Sequence, residues 1–102
     1  MARIVFTDDA REDLREIKDY SIRTWGKAIA KNYLLSLQVA LKLLAENPGI
    51  GHDEQENLWP EVFSFPCASH MIYYTAIKGG VLVIAVIPQS RLPKVLLQRK
   101  GA

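Results

Sequence analysis

The first seven residues alternate before the chain turns helical. In "RIVFT", residues 3–7, Ile4 and Phe6 alternate with Arg3, Val5 and Thr7, the two-residue period of a short strand. Thr7 can then accept an early backbone N–H of a helix, and Asp8 and Asp9 put negative charge where the helix dipole favours it. Ala10, Leu14, Ile17 and Ser21 recur at helical spacing, while Arg11, Glu12, Arg15, Glu16 and Lys18 take the wet faces. This amphipathic helix runs to "TWGK", where Gly26 lets the chain reverse. A second helix is predicted over 27–46, with Ile29, Tyr33, Leu37, Ala40, Leu41 and Leu44 as its apolar stripe and Asn47, Pro48 and Gly49 as its stop. So short a turn between two helices makes an antiparallel hairpin.

The stretch "GIGHDEQENLWPE" is polar, acidic and rich in turn formers, and reads as a surface loop. Three strands follow, "EVFSFP", "HMIYYTAI" and "VLVIAVI", with Lys78, Gly79 and Gly80 as a tight hairpin between the last two. Only the final strand is apolar almost throughout, the pattern of an interior strand, which places it between the third strand and the first. The expected α+β fold is a helical hairpin packed on one face of a four-stranded mixed sheet, in the order β-α-α-β-β-β, as a single domain over 1–102. At Pro88 the last strand gives way to a small polar cluster, Gln89, Ser90 and Arg91.

Composition narrows the function classes. With 49% hydrophobic and 24% charged residues, no apolar run near the roughly 20 residues of a membrane helix and no secretory leader, the expected address is cytoplasmic. The single cysteine, Cys67, excludes an internal disulfide, and neither it nor His52 and His70 has metal-ligand spacing, so no metal or other cofactor is expected. The formal charge of +2 hides a segregation: residues 43–61 carry five acidic and no basic groups, residues 62–102 five basic and no acidic ones. A purely cationic C-terminal part suits a polyanionic target or an acidic protein partner, while on composition alone a role in solubility accounts for it equally simply.

Four pieces in this order, "AREDLREIKDYSIRTWG", "LLAENPGIG", "FSFPCASHMIYY" and "VLVIAVIPQSRLP", resemble the ParE branch of the ParE/RelE superfamily, the toxin halves of bacterial type II toxin–antitoxin modules. The resemblance spans nearly the whole chain. It implies a hetero-oligomer with a ParD-like antitoxin whose N-terminus binds DNA, and DNA gyrase as the target. It implies no direct nucleic-acid binding by the toxin. RelE-like members instead cleave messenger RNA on the ribosome, and a non-toxic co-repressor is a third outcome.

Family members commonly carry a histidine or another polar residue right after the last strand, where this chain has Pro88, which has no proton to transfer. No carboxylate follows Val62, and His70 lies on another strand, at its far end in this reading. No catalytic residue is therefore assigned, and inhibition by binding is favoured over ribonuclease action. Arg91 and Lys94, on the exit from the last strand, are the candidates for contact with the target. Tyr20, Trp25, Arg99 and Lys100 are the candidates for antitoxin binding, with core packing the competing role of both aromatics. Tyr73 and Tyr74 point to opposite sheet faces, so no single site uses both.

Overall fold

A computed structural model describes residues 2–91 and 93–99, apart from the side chains of 93 and 94. Strand β1 (Arg3–Phe6) leads into helix α1 (Asp8–Trp25), which turns at Gly26 into α2 (Lys27–Glu46). A 3-10 turn, Pro48–Ile50, follows, then β2 (His52–Asp53), β3 (Phe63–Cys67), β4 (His70–Ile77), β5 (Gly80–Pro88) and a 3-10 tail helix, Pro93–Arg99. The sheet order is β1-β5-β4-β3-β2, with β1 parallel to β5 and the other pairs antiparallel. The apolar last strand is thus interior, as its pattern requires.

The sheet has five strands rather than four. Its extra member is a two-residue bridge inside the acidic segment, which is less of a surface loop than its polarity implies. Glu54 is buried there because its carboxylate accepts the Ser64 hydroxyl at 2.6 Å and the Asn57 amide at 3.2 Å, which compensates its loss of water. Leu58 and Trp59 from the same segment pack on the sheet's far face with Val62, Tyr73, Ile84, Ala85, Ile87 and Leu96.

The near face carries the hairpin. Ala10 and Ile17 of α1 and Leu37, Leu41 and Leu44 of α2 close over Ile72, Tyr74, Val81, Val83 and Val86. Helix α2 is by length and composition apolar enough to cross a membrane, and it lays its Leu37, Leu41 and Leu44 face on this sheet. Ile29, expected in the inward stripe, is exposed near the start of α2. Tyr74 pins the helix stop from below: its hydroxyl donates to the Pro48 carbonyl at 2.7 Å and accepts the Gly51 N–H at 3.0 Å.

A β-bulge sets the geometry of the functional end. Tyr73 pairs with Ala85 and Tyr74 with Val83, leaving Ile84 without a partner. Ile84 and Ala85 therefore both face the far core, while Val83 and Val86 face the hairpin. Beyond Phe6 no β1 residue accompanies β5, so the backbone groups of that edge find other partners. The Thr7 hydroxyl serves both this edge and α1: it donates to the Ile84 carbonyl at 3.2 Å and accepts the Ala10 N–H at 3.0 Å as the helix cap. Replacing Thr7 by Ala is expected to cost about 1–2 kcal/mol, read as a lowered urea midpoint with unchanged slope.

Candidate functional site

The antiparallel β4–β5 register decides what surrounds the chain exit. His70 pairs directly with Pro88, so it does not lie far from the polar cluster as strand membership alone implied. A hairpin brings the start of its first strand beside the end of its second, and apart from the bulge at Ile84 this one is paired from Ile77–Gly80 to His70–Pro88. Gln89 is fixed there: its N–H donates to Ser69 C=O at 2.9 Å, and its amide to the carbonyls of Ala68 at 2.7 Å and His70 at 3.3 Å. The Arg91 N–H closes a turn onto Pro88 C=O at 2.9 Å, leaving the Arg91 side chain exposed.

These residues form one wall of a cavity of about 880 Å³ whose other wall is the second half of α1. Tyr20 and Trp25 meet edge to face at its end, with ring centroids 5.9 Å apart, and aromatic contacts continue from Trp25 to Tyr33 and on to His70. The cavity is mixed in charge, with Glu16 and Asp19 on the helix wall and Arg91 and Arg23 at its rim.

The Tyr33 hydroxyl is hydrogen-bonded to Nδ1 of His70, the tautomer of the ring setting which of the two donates. Burial lowers the His70 pKa from its ordinary 6.5, and the charge of Asp13 opposes this only in part. The neutral ring is thus the form the fold favours. The stability it contributes is complete above pH 6.5 and is lost as pH falls through the lowered folded value. As pH falls below 6.5, the unfolding free energy is expected to drop more steeply in the wild type than in His70→Gln, as measured by urea denaturation at each pH.

The tail helix is held by two side chains. Leu96 is fully buried in the far-face core. Arg99 turns inward as well: its guanidinium grips Asp13 with two bonds, 2.8 and 3.1 Å, reaches Ile84 C=O at 3.2 Å and lies 3.6 Å from Asp9. The second Asp13 role is to accept the Val86 N–H at 3.0 Å, so one carboxylate serves both the bulged strand and the tail. Hydrogen bonding to Asp13 holds the guanidinium more firmly protonated than an ordinary arginine.

On the other flank of α1, an apolar trough runs between the two helices to β1. Ile4, Phe6, Leu14, Leu34 and Leu41 line it, and its charged lining residues are all cations: Arg11, Arg15, Lys18, Lys27 and Lys31. It opens beside the outer edge of β1, which pairs with no other strand among the described residues.

The structure thus places Tyr20, Trp25 and Arg91 around one cavity, although their positions in the sequence suggested different partners. Arg99 does not line that cavity; its guanidinium is paired with Asp13. Lys94 is the second residue of the tail helix, with its side chain outside the described residues, and Lys100 lies wholly outside them. Asp13 was missed, though a signal existed: it falls three residues after Ala10 and four before Ile17, inside the buried stripe of α1. The cationic trough was missed because its rim comes from residues scattered over two helices.

Comparison with known proteins agrees with this architecture. Residues 4–93 match the family model described as the ParE toxin of type II toxin–antitoxin system, parDE. The chain is 35% identical over 81 residues to Toxin ParE1 of Caulobacter vibrioides, covering 79% of this chain and 82% of that one. It is 28% identical over 92 residues to Toxin ParE of Escherichia coli, covering 90% and 88%. A solved structure titled "Chromosomal ParDE TA system from P. aeruginosa" superposes with a TM-score of 0.72 at 16% identity, over 86% of this chain and 96% of that one, and so shares the fold. By sequence match over most of its length, the chain belongs to the ParE toxin family of type II toxin–antitoxin systems.

Proposed function

We propose that this protein arrests growth in the cytoplasm by binding DNA gyrase, with no chemistry of its own, and that a tightly bound antitoxin with a DNA-binding N-terminus restrains it. The observation that carries the reading is the exit from β5. Pro88 closes the strand, and beyond it lies a held turn with an outward-facing Arg91 rather than a paired acid and base. Arg91, with Lys94 behind it, is the first target contact to test.

The trough suits the antitoxin. Its apolar floor and cationic lining complement an acidic amphipathic segment, and the free edge of β1 beside it accepts an added strand. Lys18→Glu/Lys31→Glu is expected to weaken antitoxin binding at least about tenfold at low salt and less at high salt, measured by titration calorimetry. Tyr20 and Trp25 lie on the opposite flank of α1, where an antitoxin long enough to wrap the helix reaches them.

One observation favours a second reading, ribosome-dependent RNA cleavage: His70, Tyr33, Ser69 and Arg91 cluster at the same end of the sheet. Induction of the chain without its antitoxin separates the two. Gyrase-linked DNA cleavage and DNA-damage signalling with intact messages support gyrase inhibition. Codon-phased message cuts with undamaged DNA support the nuclease. Normal growth on induction leaves the non-toxic co-repressor.

A further inference from the structure

The exit from β5 is fixed at two points, and the target-facing residues lie between them. The near point is the polar turn, where Gln89 is bonded to the β3–β4 turn and Arg91 N–H to Pro88 C=O. The far point is the tail helix, with Leu96 inserted in the far-face core and Arg99 bound to Asp13. Outward from this span face Arg91, Val95 and Leu97, all exposed. One exposed cation and two exposed apolar side chains are thus displayed next to the two fixed points.

We infer that Asp13 is the positioning residue of the inhibitory tail: it touches no target itself but sets the place of Arg99, and through it that of the exposed Val95 and Leu97 on the same tail helix. The inference rests on the reading that this exit carries the target contact. The geometry is specific because Asp13 is itself held. Its carboxylate accepts the Val86 N–H on the free edge of β5, so the oxygens that grip Arg99 are referenced to the same strand from which the exit emerges. The Ile84 carbonyl, left over by the bulge, supplies a further acceptor to the same guanidinium, and Asp9 adds its charge from one turn earlier. A surface presented in one conformation loses little ordering entropy on binding; released at its far end, the span must be ordered at each encounter.

The test compares wild type, Asp13→Asn and Arg99→Lys, with Leu44→Ala as a control that weakens the opposite, hairpin-side core. Asparagine retains an oxygen for Val86 N–H but not the charge that grips Arg99, and lysine restores charge without the two-pronged geometry. Four quantities are read: trypsin cleavage after Arg91 and Lys94, hydrogen exchange of the core amides, inhibition of purified DNA gyrase, and growth arrest on induction. Asp13→Asn is expected to be cut at least about tenfold faster in the tail, with core amides still protected from exchange, and to need at least about tenfold more protein for inhibition. Arg99→Lys should fall between, and Leu44→Ala should keep the wild-type tail cleavage and potency.

A freed tail with undiminished growth arrest overturns the inference, as does a tail in Asp13→Asn as protected as in the wild type. Equal loss of potency in Leu44→Ala also overturns it, because general destabilisation then accounts for the effect. If the wild type leaves gyrase untouched but arrests growth, the target reading fails, while the ranking of the variants by growth arrest still decides the role of Asp13. A wild type that arrests nothing overturns both.

Discussion

Gly80→Ala is expected to unseat β1 and to lower the melting temperature by roughly 10–20 °C, corresponding to a loss of about 3 kcal/mol. Gly80 is paired with Arg3 so closely that an added Cβ would overlap the Arg3 carbonyl oxygen and sit 2.7 Å from both its carbonyl carbon and its nitrogen. All three are backbone atoms, so no rotamer change relieves the clash. The strand must move instead, and Thr7 moves with it. The Thr7 N–H to Val83 C=O bond at 3.1 Å, the α1 cap and the bond to Ile84 are then all disturbed. Hydrogen exchange should show faster exchange of the β1 amides and the first turn of α1, with β3 and β4 little changed. A melting temperature within about 2 °C of wild type would mean that the parallel pair separates without consequence, against this account.

The second large effect is Arg99→Met, expected to destabilise by about 3 kcal/mol in denaturant titration. The Asp13 side chain is only 9% exposed and that of Arg99 21%, so this is not one of the exposed pairs that contribute little. Asp8–Arg11 and Glu12–Arg15, both on the wet side of α1, are of that weaker kind. Removing Arg99 leaves a carboxylate in the interior with only the Val86 N–H to oppose its loss of water. Asp13→Asn/Arg99→Met is therefore expected to recover most of the loss, since asparagine carries no charge and still accepts from Val86. Additive single effects in that double-variant cycle would show that the pair does not act as a unit.

Much of the architecture was legible because it depends on local chemistry. Thr7 followed by two aspartates starts a helix wherever it occurs, Gly26 stops one with its positive φ of 86°, and seven apolar residues before Pro88 need cover on both faces. The two-residue β2 was not legible, because it is a strand only by virtue of pairing with Ser64 and Phe63. Ile29 satisfies the helical period of α2 yet stays exposed near the helix start, since a period marks a face without saying how far the neighbouring element extends.

The functional end obeyed a different rule. Arg91 could be singled out by its place after a strand and Trp25 by its place at a turn, but nothing local says that both line one cavity with His70. That depends on the β4–β5 register, which puts His70 opposite Pro88. By itself the sequence determined the helices, the strand order and the cationic character of the C-terminal part, because propensity, periodicity and charge are properties of neighbouring residues. Only the tertiary structure decided that Arg99 is spent on Asp13, that the bulge at Ile84 leaves backbone groups for both to bind, and that the exit from β5 is held at two ends. Partners 86 residues apart along the chain meet there only once the sheet has closed, and no local pattern records that distance.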